Sequence, residues 1–388
     1  LVMLFRPINR LKIGKQNLKL LYAPLLFFSL INFNAQYPKN YARLYLSDHY
    51  LYYSKYSNEK FISHFGILNY QYRDFFTSIV PKPATEKDIR EINQFFNNNP
   101  KTHTENEYTG LFENKNLIFI MGESFDSIVV NPDLTPNLYR LKSEGLDFVN
   151  NFVPVFPRTT SDTEYILNTG IIPSVTEGPT CYMFYDNSFD NSLANLFIRK
   201  GYQTNAFHSN DKDFYLRYKV YKGYGYENFY GQQELGFDAD IKRFDSEFMK
   251  QDRAKNLIIN ENEPFLSFII TLSGHSPYND SNKAAMAHYD TVDEYYSNIP
   301  EEIKYYIAGQ LELHIFVGDL FAALEEKNIL DDTVIILIGD HYPYTIKTET
   351  YEDYKNVYKE YLKNKTPLYI WGTGVEAKKI NKISSSFD

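Results

Sequence analysis

Four short apolar runs of strand type each end in residues able to carry chemistry. Leu117–Met121 runs into Gly122-Glu123-Ser124, and Thr204–Phe207 into His208. Phe265–Thr271 runs into Ser273-Gly274-His275, and Val334–Ile338 into Gly339-Asp340-His341. Helical stretches separate the runs. The clearest is Tyr305–Lys327, where Ile307, Leu311, Ile315 and Ala322 recur at helical spacing, as do Leu313, Val317, Leu320 and Leu324, with Asn328 as its stop. Strands alternating with helices predict an α/β domain whose central, mostly parallel sheet is flanked by helices. In open α/β sheets, ligands bind at the carboxyl ends of the strands. Glu123, His208, His275, Asp340 and His341 are therefore expected to converge on one sheet edge. A lone histidine at a strand end is most often a structural hydrogen-bonder. Four strand ends in succession, each with a ligating or acid/base group, point to a site.

Asp340-His341 is the sharpest pair. A carboxylate beside an imidazole suits manganese, zinc or iron more than calcium. Gly339 is expected to let the backbone turn tightly as it leaves the strand. Taken alone, the pair also fits a surface turn, and Glu123 alone carries little. A nucleophile is available in Arg158-Thr159-Thr160-Ser161-Asp162-Thr163-Glu164. Ser161-x-x-Glu164 has the form of a capping box, so a helix is expected to start here. The Thr160 hydroxyl would then sit near a helix N-terminus, which favours an anion. A threonine alkoxide held by a metal and attacking phosphorus is one coherent chemistry for this set. The competing reading is that these hydroxyls only cap the helix.

Composition narrows the class. The 388 residues are 43% hydrophobic and 23% charged, a folded composition and too long for one small domain. The net charge of −9 argues against nucleic acid as a partner. Cys181 is the only cysteine, which excludes an internal disulfide framework and a Cys-rich metal site. The 35 Tyr and 30 Phe read first as AT-rich coding bias, with a carbohydrate-binding surface as the second explanation.

The amino-terminal end has its own signature. The chain opens on Leu1, so it reads either as a fragment or as a chain whose true start is Met3. The first 35 residues hold Arg6, Arg10, Lys12, Lys15 and Lys19 and no acidic residue. Leu20–Phe33 is mostly apolar, and a span needs about 20 such residues. Gln16–Gln36 reaches that length if Lys19 snorkels. A cleaved signal peptide lacks a clean small-x-small site around Asn32–Gln36. A buried core helix does not explain the one-sided charge. The reading adopted is a cytoplasmic basic segment (1–15) and a transmembrane helix (16–36), the last of several, with everything after it outside. Residues 37–112 then form a linker carrying a short amphipathic helix, Thr85–Asn98, between Pro81-Lys82-Pro83 and Asn97-Asn98-Asn99-Pro100. Residues 113–388 form the catalytic domain.

The motifs resemble a known family. Gly122-Glu123-Ser124-Phe125, Thr160-Ser161-Asp162-x-Glu164, His208 with Phe214-Tyr215-Leu216-Arg217, Thr271-Leu272-Ser273-Gly274-His275-Ser276-Pro277-Tyr278 and Gly339-Asp340-His341-Tyr342 stand in one order. In that order they are similar to the lipoteichoic acid synthases. Those are membrane phosphoglycerol transferases of the alkaline phosphatase and sulfatase superfamily. The resemblance runs from about Thr85 to Asp388. It implies that Glu123, Thr160, Asp340 and His341 bind one Mn²⁺ (or Mg²⁺), and that Thr160 is the nucleophile, carrying glycerol phosphate as a phosphothreonine. It also implies that His208, Tyr215, Arg217 and His275 line the glycerol-phosphate pocket, with Arg217 and His275 catalytic. Arg217 would neutralise phosphate oxygens, and His275 would exchange a proton with the leaving or incoming oxygen. The implied donor is phosphatidylglycerol, and the acceptor a glycolipid or growing polyglycerol-phosphate chain. The implied place is a bacterial cell membrane with the catalytic domain extracellular.

Asn210 stands where the family often has Asp, and Tyr215 where it often has Trp, which leaves the head group open. Ser384-Ser385-Phe387-Asp388 looks like the start of a motif that continues into a final helix, so the domain is expected to be truncated at its C-terminus. Other members of the superfamily fit less well. Cys181 lacks the C/S-x-P-x-R setting of formylglycine sulfatases. A two-metal phosphatase needs more ligands than His49, His64, His103, His288 and His314 offer in context. A phosphoethanolamine transferase leans on disulfides that one cysteine cannot form. A phosphoglycerol transferase acting on other glycans, a phosphodiesterase that hands the group to water, a phosphoethanolamine transferase and a non-catalytic sensor of glycerol-phosphate polymer remain as alternatives.

Overall fold

The computed structural model describes residues 51–52, 58–79, 85–100, 105–153, 160–173 and 180–388. The basic segment and the transmembrane helix expected over 1–36 lie outside them. The chain divides into two compact units, Leu1–Glu105 and Asn106–Asp388.

The first unit contains helices Asn58–Phe65, Ile67–Ile79 and Glu86–Asn98. The first two replace a stretch that the sequence left without periodicity. Gly66, at φ 82°, breaks the chain between them. Phe61 is fully buried against Leu51, Tyr52, Phe65 and Tyr70, so aromatic contacts rather than a regular stripe order this region. The third helix starts as expected. The Thr85 hydroxyl accepts from the Asp88 N–H at 3.2 Å, and the Thr85 N–H donates to Asp88 Oδ2 at 2.7 Å.

The second unit is built on an eight-stranded sheet. In chain order its strands are β1 (Asn116–Gly122), β2 (Leu146–Phe148), β4 (Gln203–His208), β5 (Asn228–Tyr230), β6 (Phe265–Ile270), β7 (Thr333–Gly339), β8 (Leu368–Gly372) and β9 (Lys378–Ile380). The spatial order is β5-β4-β6-β1-β7-β8-β2-β9. β3 (Asn151–Phe152) and β10 (Ser384–Ser385) form a separate parallel pair. Strands β5, β4, β6, β1 and β7 are mutually parallel, and β8 is antiparallel to β7 and to β2. The four runs singled out by sequence are therefore β4, β6, β1 and β7, side by side in the sheet. All four end at the same edge.

Side-chain alternation sorts the strands onto two cores. Ile118, Ile120, Ile269, Ile335 and Leu337 face helix Glu301–Glu326 and its neighbour Lys283–Tyr295. Leu117, Met121, Leu266, Phe268 and Val334 face the other layer, which includes Tyr165, Ala194 and Tyr221. Among the described residues, Glu301–Glu326 is the one helix long and apolar enough to cross a membrane, yet 72% of its apolar window is buried inside the fold. It is a core helix, and residues such as Ile307, Phe316 and Leu320 are fully buried, each worth about 1.5–3 kcal/mol of transfer free energy. Asn328, at φ 57°, ends it in the left-handed conformation that asparagine tolerates.

Candidate active site

The ends of β1 and β7 meet first. Their register pairs Gly122 with Gly339, so Glu123 and Asp340 leave the sheet side by side. The Asp340 N–H donates to the Gly122 carbonyl at 3.1 Å, and the Ser124 N–H donates to Asp340 Oδ1 at 2.7 Å. Ser124 holds a φ of 52°, a left-handed strain for a serine, and its hydroxyl donates to Glu123 Oε1 at 2.9 Å. Gly339 is required for a reason other than the expected turn. A Cβ there would lie 2.2 Å from the Phe125 carbonyl oxygen, so the two strand-end loops pack too closely for a side chain.

Glu123, Asp340 and His341 are all buried, and their ligand atoms lie within 4.8 Å of one another. His341 Nε2 is 3.2 Å from Asp340 Oδ2 and 3.8 Å from Glu123 Oε1. His341 Nδ1 lies 3.0 Å from the Tyr342 carbonyl, a contact that places the proton on Nδ1 and leaves the Nε2 lone pair turned inward. Asp340 Oδ2 is buried and has no hydrogen-bond partner. Burial pushes the Asp340 carboxyl up to about 7. Burial, then the neighbouring Asp340, raises Glu123, and burial lowers His341. Two carboxylates and an imidazole turned toward one point, with an orphaned oxygen among them, fit a divalent cation. Its charge would reverse these shifts.

Thr160 joins this group. It is the first residue of helix Thr160–Thr169, and its Oγ1 lies 3.3 Å from His341 Nε2. The helix is fastened to the strand end by Thr163, whose hydroxyl donates to the Asp340 carbonyl at 2.8 Å. The helix begins two residues before the capping pattern put it, so Ser161 lies inside it and not at its cap, and Glu164 does different work. Its carboxylate accepts from Arg217 Nε at 3.2 and 3.1 Å, from Arg217 Nη2 at 2.7 Å and from the Tyr221 hydroxyl at 2.9 Å.

That pairing changes the picture of Arg217. The Nε–Nη2 edge of the guanidinium expected to meet a phosphate is engaged by Glu164, and Nη1 is left, buried and unpartnered. Phe214, Tyr215 and Leu216 precede Arg217, and Tyr215 and Leu216 hold φ of 61° and 53°. Arg217 Cζ sits 5.1 Å from the centre of the Tyr215 ring. His208, at the end of β4, is buried with Nδ1 3.0 Å from the Ile270 carbonyl. Burial first, and Arg217 next, hold it well below the usual histidine range. His275 is exposed, with Nδ1 2.6 Å from the Ser276 carbonyl. It is close enough to Glu123, Asp340, His341 and His208 for its charge to bear on all four.

The sulfatase family profile matches residues 115–388. The chain belongs to the sulfatase family. Among curated relatives, the lipoteichoic acid synthase of Staphylococcus saprophyticus is 28% identical over 272 residues, covering 67% of this chain and 40% of the relative. The lipoteichoic acid synthase of Staphylococcus aureus is 27% identical over 273 residues, again 67% of this chain and 40% of the relative. The chain thus spans about two-fifths of the length of the curated relatives it matches. Of solved structures, the lipoteichoic acid synthase LtaP from Listeria monocytogenes superposes with a TM-score of 0.61 at 22% identity, covering 76% of this chain and 75% of that one. A protein of the alkaline phosphatase superfamily from Vibrio parahaemolyticus gives 0.52 at 21% identity, covering 71% and 64%. Both likenesses establish the fold.

The cysteine of this sulfatase-family chain lies beside Ser161 and Glu164 of the helix that starts at Thr160. Cys181 is buried in helix Thr180–Met183, and burial pushes its thiol up. Several supporting residues escape a sequence reading. Gln310 donates to the Glu123 carbonyl at 2.9 Å, and Tyr306 donates to the Ser124 carbonyl at 2.6 Å, both from helix Glu301–Glu326. The Thr271 hydroxyl accepts from the Glu123 N–H at 2.9 Å. Gln310 and Tyr306 lie on a helix that periodicity assigns wholly to core packing. Only the motif around Thr271 gave a signal.

Proposed function

We propose that this chain is a metal-dependent phosphoglycerol transferase that moves glycerol phosphate from phosphatidylglycerol to a glycolipid or polyglycerol-phosphate acceptor through Thr160. The observation that carries this reading is the Thr160 hydroxyl at the head of a buried helix, 3.3 Å from His341 Nε2 and beside Glu123 and Asp340. The donor and acceptor classes rest on the kinship with proteins named lipoteichoic acid synthase. Membrane anchoring and an extracellular catalytic domain follow from the basic and apolar pattern of residues 1–36.

Glu123, Asp340, His341 and Thr160 would hold Mn²⁺ or Mg²⁺, which would lower the hydroxyl pKa and offset charge on the phosphate. The chain's own groups do the rest. Thr160 Oγ loses its proton to solvent and attacks phosphorus. The bond from phosphorus to the diacylglycerol oxygen breaks, and His275 gives that oxygen its proton. Glycerol phosphate is left on Thr160. An acceptor hydroxyl then loses its proton to His275 and attacks phosphorus, and the Thr160 oxygen leaves and regains a proton from solvent. Arg217 Nη1, His208 and Tyr215 bind and orient the glycerol-phosphate group.

The test uses the purified chain in detergent with Mn²⁺ and head-group-labelled phosphatidylglycerol. Diacylglycerol release and label trapped on the protein are expected for the wild type, and neither for Thr160→Ala, with the melting temperature unchanged within about 2 °C. Turnover that survives Thr160→Ala overturns the mechanism. Turnover of phosphatidylethanolamine but not phosphatidylglycerol overturns the donor.

A further inference from the structure

The loop that carries His275 is held from below by a buried carboxylate that takes no part in the site described above. Asp245 is fully buried, and all its hydrogen-bond donors come from one dipeptide. Oδ1 accepts the Leu272 N–H at 2.8 Å, while Oδ2 accepts the Ser273 N–H at 3.1 Å and the Ser273 hydroxyl. Leu272 and Ser273 follow β6 after Thr271, and the turn closes when the His275 N–H donates to the Leu272 carbonyl at 3.1 Å. Asn282 holds the His275 carbonyl at 3.0 Å, and Tyr278 holds the Gly274 carbonyl at 3.1 Å. The carboxylate is itself braced. The N–H of the next residue, Ser246, donates to Glu312 Oε2 at 3.2 Å, and the other Glu312 oxygen pairs with His288. Glu312 lies two residues from Gln310, which grips the Glu123 carbonyl.

We propose that Asp245 is a positioning residue for His275: by clamping Leu272-Ser273 it fixes the turn that presents the His275 ring to the Thr160 site. Two features favour this over a generic core role. Both oxygens are spent on the first two residues of the turn instead of being spread over the fold. The clamp touches none of Glu123, Asp340 or His341 directly and reaches Glu123 only through Gly274, which packs against the Glu123 carbonyl, so its first effect falls on the acid/base group. The His275 side chain is exposed, and its Nδ1 lies 2.6 Å from the Ser276 carbonyl of the same turn, so its orientation depends on the backbone of that turn.

The kinetic arm rests on the transferase reading above; the structural arm does not. In Asp245→Asn, one acceptor becomes an amide donor facing donors, and the turn must shift. A shift of about 1 Å at a proton-transfer group costs up to about 100-fold in rate. The expected result is kcat lowered about 10- to 100-fold with KM and Mn²⁺ affinity each within about threefold of the wild type. In a His275→Ala background, the same substitution should change kcat less than about twofold, because a residue acting only through His275 has nothing left to position. An equal loss in both backgrounds overturns the proposal. The ¹H–¹³C imidazole signal of His275, assigned by its loss in His275→Ala, should move in Asp245→Asn while that of His341 stays. A His275 signal that does not move overturns the proposal whatever the kinetics show. Ser273→Ala, which removes one donor and keeps the carboxylate, should shift both readouts in the same direction by less, and it serves if Asp245→Asn does not fold. Should Thr160→Ala retain turnover, the transferase reading fails, and the imidazole signal still decides the clamp.

Discussion

Removing Glu164 isolates a charge that cannot neutralise itself. Arg217 and Glu164 are a buried pair, with side chains 3% and 5% exposed. Glu164→Ala deletes the acceptor of both Arg217 nitrogens that are satisfied, and Nη1 is already without a partner. A buried carboxylate left alone can take up a proton, but a guanidinium stays charged at any working pH. Breaking a buried pair in this way costs about 3–5 kcal/mol. For a domain of this size, at about 2 °C per kcal/mol, the melting temperature should fall by about 6–10 °C. Glu164→Gln keeps an acceptor for Arg217 or Tyr221 and loses only the charge, so its cost should be nearer 1.5–3 kcal/mol, roughly half as large. Thermal unfolding of both variants by circular dichroism, with Mn²⁺ titration alongside, checks the order. Mn²⁺ affinity should be unchanged, since Glu164 is not among the clustered ligands. A Glu164→Ala protein that melts within about 1 °C of the wild type would show that Arg217 does not depend on Glu164. The assignment of Arg217 as a group held by Glu164 on one edge, with Nη1 left for a phosphate, would then fail.

Two other substitutions or conditions separate the parts of the site. Gly274→Ala would place a Cβ 2.2 Å from both the Glu123 carbonyl oxygen and Gln310 Nε2, so Glu123 must move. Its Mn²⁺ affinity, read by calorimetry, should drop about 10- to 100-fold, and an unchanged affinity would refute the packing argument. Burial pushes the carboxyls of Asp340 and Asp245 up to about 7. Their stabilising contribution is full below the unfolded-state pKa and is lost as pH rises through about 7. His208 and His341, lowered by burial, oppose this only as pH falls below their unfolded value of about 6.5. The melting temperature of the metal-free protein should therefore fall between about pH 6.5 and 8, and the upward shift given by Mn²⁺ should grow over the same range. A metal-free melting curve that rises over that range refutes the protonated state of the empty site.

The fold was legible where strands are buried on both faces. Such strands read as continuous apolar runs, and β1, β4, β6 and β7 were found within a residue or so of their ends. The short edge strands β5 and β9 carry too few residues to show a period. Helices Asn58–Phe65 and Ile67–Ile79 were missed because their order comes from a local aromatic cluster. Glu123, Asp340, His341 and Thr160 were readable because each follows a structural boundary visible in sequence. Asp245 sits in Arg243-Phe244-Asp245-Ser246, with no boundary and no partner nearby in the chain. Glu164 was seen, but its pattern matched a capping box, and a partner 53 residues away took the carboxylate.

The difference between readable and hidden residues has a physical origin in the topology. A parallel sheet brings its strand ends together whatever the loops contain, so any group placed just after β4, β6, β1 or β7 arrives at the site by backbone geometry alone. Groups that aim those residues are not constrained in this way. They reach the same place from helix interiors and loops, as Gln310, Tyr306 and Asp245 do, and their spacing in sequence carries no period. Each of the three binds backbone instead of a reacting side chain: Gln310 holds the Glu123 carbonyl, Tyr306 that of Ser124, and Asp245 the Leu272 and Ser273 amides. A backbone contact leaves no mark on the residue it holds, because any amino acid supplies the same N–H or C=O. The strand-end residues are therefore identifiable from sequence one by one, whereas their supports emerge only once β1 and β6 lie side by side and helix Glu301–Glu326 is packed beneath them.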